Sequence, residues 1–410
     1  YAILPGGLRI VEQTGTQAVA GGSEKLLDGS QIVTGYFGSA ATGQRESTLR
    51  TFSVQTSTTF RQYSNIVTTS ATETFNDRAT RDGLALPRSP LDAGRIVLEP
   101  IAKLVLEASL STQAGSGGRG AQADISGQAF RIVSQLSDDA GNGGPIQLTA
   151  DGLTGLGVES LLIGGIRTQG SDGRTSLAVR ATSISIENDA VHVLRAPELL
   201  FATDGSGSSL SVSDGAVVTA SGTLSDASTS DYLIDGSADG MTGQGAFLRL
   251  ASGPERLVTR INRDAVATTP TIIVGAASLT AMSVLISSAG EVGIDPDAQI
   301  GADNLALDAA QISFAASSDG LSGLVITPGL RAAFAAADRL TFRSPGAIRF
   351  ESTGVGSTSY SFGAVTFDAA GFGTLGGGDA DVTLKASALR LANSSGTAAL
   401  HLSLEAMQLP

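Results

Sequence analysis

Three pairs of aspartates are the residues of this sequence whose type and spacing fit acid–base chemistry. They are Asp138 with Asp139, Asp295 with Asp297, and Asp379 with Asp381. A glycosidase needs two carboxyl groups roughly 5–9 Å apart across one sugar. Asp295 and Asp297 flank a proline, however, and turns favour aspartate because its side chain bonds to the nearby backbone. We interpret all three pairs as turn residues, so the sequence predicts no catalytic residue.

Metal-binding residues are equally sparse. The two histidines, His192 and His401, are far apart, and we expect each to be a surface or structural residue. GGGDADVTL (376–384) resembles one copy of the calcium-binding nonapeptide GGxGxDxUx, with Asp379 where the pattern has glycine. Such sites share ligands between successive copies, so a single copy leaves calcium only as an alternative. We assign no metal, cofactor or cofactor-binding residue.

The sequence carries only weak signals for a nucleotide-binding or sugar-binding site. No G-x-S-x-G elbow, P-loop or dinucleotide fingerprint stands in a strand–turn–helix setting, and the glycines of LLIGGIRTQGSDG (161–173) are better explained as a corner. Exposed aromatic rings can stack on sugars. Five candidates lie outside the best predicted strands: Phe52, Phe60, Tyr63, Phe75 and Tyr232. We expect most of them to be packing residues, and a surface groove lined by some of them is the alternative.

The composition excludes several classes of partner. The chain has 410 residues, a net charge of −13, only three lysines and no cysteine. An acidic chain without a basic patch is not expected to bind nucleic acid. No apolar run approaches the roughly 18 residues of a membrane span. Disulfides and thiolate sites are excluded. Because the sequence begins with Tyr1, we interpret it as part of a longer polypeptide whose export signal lies upstream.

A repeated pattern indicates the elements that must position these residues. Two alternating apolar positions, a small or polar corner and two more apolar positions recur in 177–186, 305–314, 340–350 and 382–391, with a shorter copy in 365–372. In LAVRATSISI the inward set would be Leu177, Val179 and Ala181, then Ile184 and Ile186. A corner between two short strands keeps both halves on one interior. Short strands that bend and then stack on their predecessors form a parallel β-helix.

The rest of the chain differs from this pattern. We predict an irregular, polar, β-rich cap or linker over residues 1–90 and a parallel β-helix over 91–410. PGLRAAFAAADRL (328–340) predicts a helix on the side of the stack or over one of its corners, with Leu330, Ala333, Phe334 and Ala337 on one face. ETFNDRA (73–79) predicts a second helix. A period of ~20 residues gives about 15 coils and a rod on the order of 70 Å long.

Six segments, in this order, resemble the filamentous haemagglutinin family of large exoproteins exported by two-partner secretion. They are 1–11, 86–100, 117–133, 159–167, 187–203 and 330–350. The resemblance lies with the region deep in, or near the end of, very long family members. It implies an extracellular right-handed parallel β-helix at the bacterial cell surface, without catalytic residues, exported through an outer-membrane transporter.

Two functions follow from these observations. The first is a non-catalytic structural module that forms a rigid rod or filament for adhesion, aggregation or matrix. Its expected partners are other copies, end to end, or glycans and proteins of host or neighbouring cells. The alternative is a β-helical polysaccharide-degrading enzyme, which would need a groove with clustered Asp, Arg and Lys. A trimeric phage-type tail fibre is a weaker third hypothesis, because no intertwined tip is recognisable.

Overall fold

The structure, a computed structural model, is all-β with a few short helices. It describes residues 2–394 except 16–19, 40–41, 64, 66, 68, 89–90, 108–109, 138–140, 171–172, 226–230, 335, 352–357 and 377–380. Strands make up 46% of the chain and helices 8%. Contacts divide the chain into two compact units, Tyr1–Ser89 and Pro90–Pro410.

The amino-terminal unit is a small antiparallel sheet with two helices. Its elements are β1 (Leu8–Glu12), β2 (Ser23–Lys25), β3 (Gln31–Gly35), β4 (Arg50–Thr56), α1 (Ser57–Arg61) and α2 (Ala71–Arg81). The strands follow the order β1-β4-β3-β2. The helix predicted over 73–79 is confirmed as part of α2, which begins with a reciprocal capping box between Ser70 and Glu73.

The second unit holds the remaining elements. In chain order they are β5 (Arg95–Leu98), β6 (Gln122–Ile125), β7 (Ala129–Val133), β8 (Ile146–Thr149), α3 (Ala150–Gly155), β9 (Ser160–Ile163), β10 (Gly165–Gln169), β11 (Thr175–Val179), β12 (Ser183–Glu187), β13 (Leu194–Ala196), β14 (Glu198–Ala202), β15 (Ser209–Val212), β16 (Val217–Ala220), β17 (Tyr232–Asp235), β18 (Ala246–Ala251), β19 (Val258–Ile261), β20 (Thr271–Val274), β21 (Ser278–Ser288), β22 (Glu291–Ile294), β23 (Gln299–Asp308), β24 (Ile312–Phe314), β25 (Leu324–Ile326), α4 (Pro328–Ala333), β26 (Arg339–Glu351), β27 (Thr358–Leu375) and β28 (Val382–Ala392).

Ten strands form one continuous ladder, which we call the main ladder. Its order is β5-β6-β9-β14-β18-β21-β23-β26-β27-β28. Every pairing in it is parallel except those of β18, which is antiparallel to both neighbours. Parallel pairing throughout was expected, and that expectation is wrong at β18. The chain leaves the stack after β16 to form β17 in another sheet, and it re-enters the main ladder running in the opposite direction.

Two further ladders run beside the main one. The second ladder follows β8-β7-β12-β15-β20-β22-β25-β24-β26-β27, and all its pairings are parallel. The third ladder follows β13-β16-β21-β23 and is also parallel. Long strands such as β21 and β26 contribute to two ladders, because the chain bends from one to the next. The strands therefore come from distant parts of the sequence but stack in register.

The main core contains side chains from all three ladders. Phe130, Ile184, Leu210 and Ile272 are stacked partners in the second ladder and are almost fully buried. Toward the carboxyl-terminal end, aromatic rings replace aliphatic ones, and Phe314 has the rings of five other residues within 6.4 Å. Such stacked rings add to the stability that burial alone provides.

A four-stranded sheet covers part of the outer face of the main ladder. It has the order β10-β11-β17-β19, and we call it the covering sheet. A second core lies between the two, with Leu162, Leu200 and Phe247 from the main ladder and Val179 and Ile234 from the covering sheet. The covered strands β9, β14 and β18 are therefore buried on both faces, and each is apolar except for one polar or charged residue.

The covering sheet corrects the interpretation of residues 177–186. Leu177 and Val179 belong to the second core, whereas Ala181, Ile184 and Ile186 belong to the main core. The residues that the pattern predicted to share one interior are thus divided between the main core and the second core. Leu177 and Val179 lie in β11, which forms an antiparallel hairpin with β10, a pairing that the pattern did not predict.

The corner pattern holds further along the chain. Leu305 and Leu307 of β23 and Phe314 of β24 all enter the main core, as predicted for residues 305–314. In β26 the same change of direction takes place without a break in the strand, because a register shift between Ser344 and Ala347 forms the corner.

Two details of the prediction are wrong. The helix predicted over 328–340 ends at Ala333, and β26 begins at Arg339, where pairing to β23 and β27 fixes the backbone. Leu330 and Phe334 are nevertheless buried in the main core, as the pattern indicated. The spacing of ladder partners varies along the chain: Val284 and Leu305 are 21 residues apart, close to the predicted ~20, whereas Leu161 and Leu199 are 38 residues apart. Ten strands at about 4.8 Å span about 43 Å, less than the expected 70 Å.

Candidate functional site

Charged side chains are buried where the covering sheet lies on the main ladder. Asp124, Glu198 and Arg249 lie on main-ladder strands and are at most 3% exposed. The strands of Glu198 and Arg249 are otherwise apolar. Arg167, on β10, is 4% exposed. Buried charges are stable only when they are paired and hydrogen-bonded. The candidate functional site therefore lies on the outer face of the main ladder.

Glu198 is the centre of this buried ionic network. Its Oε1 accepts hydrogen bonds from Arg249 Nε (2.8 Å) and the Tyr232 hydroxyl (2.7 Å), and its Oε2 accepts one from the Ser160 hydroxyl (2.6 Å). Burial raises the pKa of the carboxyl, but the charges of Arg249 and Arg167 and the hydrogen bonds outweigh it and lower the pKa to about 2. The carboxylate stays ionised at neutral pH, so it cannot act as a general acid there.

Tyr232 is protonated and Arg249 is positively charged, so both can donate hydrogen bonds to the Glu198 carboxylate. Burial and the neighbouring carboxylate of Glu198 raise the pKa of the Tyr232 phenol, which therefore stays protonated and donates. Burial lowers the pKa of Arg249, but its electrostatic interactions and hydrogen bonds with Glu198 and Tyr232 together outweigh that effect and raise the pKa. Arg249 also donates to the carbonyl oxygen of Pro254 (3.1 Å) and the hydroxyl of Ser283 (3.0 Å).

A second ion pair extends the network toward β6. Arg167 Nε donates to Asp124 Oδ1 (2.6 Å), and the backbone N–H of Arg167 donates to Asp124 Oδ2 (2.9 Å). Arg167 Nη1 donates to the Ser160 hydroxyl (2.6 Å), which in turn donates to Glu198. Asp124, Arg167, Ser160 and Glu198 thus form one connected chain of hydrogen bonds, and it ties the covering sheet to three strands of the main ladder.

A cavity of about 290 Å³, here called the Tyr232 cavity, opens beside this network. Its lining includes Arg119, Arg167, Arg256 and Glu198 as well as Tyr232. The guanidinium carbon of Arg256 lies 4.0 Å from the centre of the Tyr232 ring, and Arg256 Nη1 donates to the Tyr232 hydroxyl (3.0 Å). The lining is charged and hydrogen-bonded, which suits a structural network or the recognition of a polar group.

A second cavity, of about 330 Å³, lies at the opposite edge of the covering sheet, beyond β19. We call it the Arg260 cavity. Arg260, Arg263, Arg343 and Asp308 contribute its charged lining residues. The two cavities resemble each other, because in each of them arginines on or beside the covering sheet meet charged residues of the main ladder.

Of the residues in the predicted acidic pairs, the structure describes Asp295, Asp297 and Asp381, and none of these three lines either cavity. Asp295 Oδ1 accepts a hydrogen bond from the backbone N–H of Asp297 (2.8 Å), which is the turn that the sequence indicated. Asp138, Asp139 and Asp379 lie outside the described residues. Asp381 is described and exposed.

His192 takes part in a surface loop. Its Nδ1 lies 3.0 Å from Asp189 Oδ1, and its Nε2 lies 3.9 Å from Asp151 Oδ2. His401 lies outside the part of the chain that the structure describes. Of the calcium-like segment, Gly377 and Asp379 are likewise not described. Within the described ranges, no three His, Cys, Asp or Glu side chains are grouped as metal ligands.

The aromatic candidates have different environments. Tyr63 and Phe75 are exposed, whereas Phe52 is buried and packs edge-on against Phe37. Two of the five lie in strands after all, Phe52 in β4 and Tyr232 in β17. Tyr232 is 1% exposed and lines a cavity, so it is the only one of these five that the structure brings to the candidate site.

The sequence reasoning missed the arginines of both cavities. It also missed the buried pair of Glu198 and Arg249, for which a signal was present: Glu198 begins the apolar run ELLFA and Arg249 interrupts AFLRLA. A charge inside an apolar strand implies a buried partner. The partners are 51 residues apart in sequence, so spacing alone does not pair them.

Comparisons with protein-family models, curated proteins and solved structures found no match to this chain. Within the described residues, no helix is both long enough and apolar enough to cross a membrane.

Proposed function

We propose that the chain is a non-catalytic structural module of a large bacterial surface exoprotein. It forms a rigid rod or filament subunit that serves adhesion, aggregation or matrix. The observation that carries the proposal is the main ladder, in which ten strands stack in register on one apolar core. A continuous ladder of this kind resists bending, because each strand between its two ends is hydrogen-bonded to both neighbours.

The architecture that we propose for this unit is a right-handed parallel β-helix. Successive segments visit the ladders in turn: β21 runs through the third and the main ladder, β22 lies in the second, and β23 returns to the third and the main ladder. One such circuit separates Val284 from its ladder partner Leu305. The resemblance of the sequence to filamentous haemagglutinins supports the same architecture, an extracellular location at the bacterial cell surface and export through an outer-membrane transporter.

The ends of the main ladder support end-to-end self-association. At one end Ile96 and Val97 of β5 are 36% and 37% exposed, and at the other Leu389 and Leu391 of β28 are 45% and 49% exposed. In the described part of the chain β5 and β28 each pair with one main-ladder strand only. A strand with a free edge and apolar side chains is a template for pairing with another chain. The net charge of −13 disfavours side-by-side association of such rods.

Electron microscopy of the purified chain tests this function, with images of the native cell surface labelled by an antibody to the chain. We expect rods or fibres both in the purified chain and on the cell surface. The Leu391→Lys variant, which places a charge on β28, should form shorter fibres. Val191→Lys is the matched control, because Val191 is 83% exposed but lies in a loop. A compact globule that releases sugars from a polysaccharide would refute the structural proposal and favour an enzyme.

A further inference from the structure

Arg260 is a buried cation whose neutralisation is incomplete. Its side chain is 7% exposed and lies on β19, the last strand of the covering sheet. Nη1 donates to the Ser287 hydroxyl (2.8 Å) and Nη2 to the carbonyl oxygen of Gly245 (3.3 Å), but the buried Nε has no partner in the described structure. The carboxylate paired with it, that of Asp308, is 3.5 Å away and also accepts from Ser287.

Desolvation is the dominant effect on this group. Burial lowers the pKa of Arg260 to about 10, and the charges of Arg263 and Arg343 add to that shift, whereas the charges of Asp308 and, to a smaller extent, Asp204 oppose it. A guanidinium group keeps its proton under all ordinary conditions. The lowered pKa therefore describes a positive charge that lacks compensation, not a group that titrates near neutrality.

Two more arginines line the same cavity. Arg343 is the in-register partner of Asp308 in the main ladder, and its Nη1 donates to the carbonyl oxygen of Val258 (2.9 Å). Arg263 is exposed and donates to the side chain of Gln244 (3.0 Å). The cavity lining thus carries three guanidinium groups and one carboxylate. Asp368, which pairs with Arg343 at 3.5 Å, also accepts two hydrogen bonds from Ser394.

The cavity has room for a ligand that would supply the missing negative charge. Its volume of about 330 Å³ is at the lower end for small-molecule sites, and small side chains such as Ala309 and Ser344 line the rest of it. Positive potential concentrated in a cleft attracts anions even when the whole chain is acidic. Arginine is also the side chain best suited to oxyanions, because its fork of N–H donors matches their geometry.

We propose that the Arg260 cavity binds a small oxyanion carried by a molecule of about monosaccharide size. Arg343 and Arg263 donate hydrogen bonds to the oxygen atoms of the ligand. The buried positive charge of Arg260 strengthens binding electrostatically. This site goes beyond the structural function and does not depend on it, since binding by the purified chain is expected whether or not rods assemble.

Isothermal titration calorimetry at low salt tests the proposal with three probes: glucuronate, inorganic sulfate and neutral glucose. We expect glucuronate to bind, glucose not to bind, and affinity to fall as sodium chloride is raised. Binding of glucuronate alone identifies an acidic sugar or a similar carboxylate. Binding of sulfate as well identifies recognition of the oxyanion itself. Equal binding of glucose and glucuronate, or no binding of either anion, would overturn the proposal.

Variants assign the binding to this cavity. Arg343→Gln should weaken binding by about tenfold or more, since a hydrogen bond to a charged group is lost. Arg263→Gln removes an exposed arginine, so it should fold normally and weaken binding several-fold. Arg349→Gln is the matched control, because Arg349 is exposed on the same strand as Arg343 but outside the cavity. Unchanged affinity in both cavity variants, or an equal loss in the control, would contradict the assignment.

Discussion

Removal of the Glu198 charge should destabilise the second unit more than removal of any exposed acidic partner. In Glu198→Gln the guanidinium of Arg249 remains 1% exposed without its counter-charge. A pKa of about 2, against an ordinary 4.5, corresponds to about 3 kcal/mol at about 1.4 kcal/mol per unit. This agrees with the roughly 3–5 kcal/mol expected when one partner of a buried pair is removed. We therefore expect a loss of about 3 kcal/mol.

Glu187→Gln is the matched control. Glu187 pairs with Arg131 at 2.6 Å, but the two side chains are 29% and 38% exposed. Exposed pairs of this kind contribute about 1 kcal/mol or less. Urea unfolding followed by circular dichroism measures both variants. Because long stacks of strands can unfold in parts, hydrogen exchange of peptides from β14 and β18 gives a local measure of the same effect.

The pH dependence gives an independent measure of the same interaction. The folded-state pKa of Glu198 lies below the unfolded value, so its stabilisation is present above about pH 4.5 and is lost as the pH falls toward 2. The difference in unfolding free energy between the wild type and Glu198→Gln should therefore shrink across that range. Equal destabilisation by the two glutamine variants, or a difference that does not change with pH, would refute the reasoning.

Three further substitutions test the core, a close backbone approach and a helix cap. Phe314→Ala should cost about 3–5 kcal/mol in urea unfolding, and a loss below about 1 kcal/mol would contradict the aromatic cluster. Gly164→Ala should prevent stable folding, because φ is +105° and a Cβ would lie 2.0 Å from the Ala202 carbonyl oxygen. The control Gly117→Ala, at φ +80° with open space around it, should cost about 1–2 kcal/mol. Similar losses of stability in the two variants would be inconsistent with the clash. Ser70→Ala should lower helix stability by about 1 kcal/mol in thermal melts, and an unchanged melt would argue against the capping box.

The local features of this fold are predictable from the sequence. In 305–314 the alternation of apolar residues and one corner are enough to place Leu305, Leu307 and Phe314 in a single core. Short strands of this kind follow from period-two patterning, which depends on neighbouring residues only. The same holds for the capping box at Ser70, where Glu73 stands three residues later.

The long-range arrangement is not predictable from these rules. Leu177 alternates like an inward residue of the stack, yet it lies under the covering sheet, because an apolar pattern does not specify which interior receives it. The reversed direction of β18 depends on the excursion through β17, which lies between the end of β16 at Ala220 and the start of β18 at Ala246. The local apolar pattern does not predict this excursion. The charge pair of Glu198 and Arg249 requires that reversed strand, so the candidate site could not be assembled from sequence alone.

The in-register parallel stack is tested most directly by a disulfide between two ladder partners, because the chain has no cysteine of its own. Ser211 of β15 and Ile273 of β20 are partners in the second ladder, and Ile273 is 55% exposed. With strands about 4.8 Å apart, cysteines at these positions should form a disulfide on mild oxidation, seen on a non-reducing gel and by peptide mapping. Cysteines at Ser211 and Thr271, two residues out of register, should not. Absence of the first crosslink, or equal formation of both, would contradict the stack.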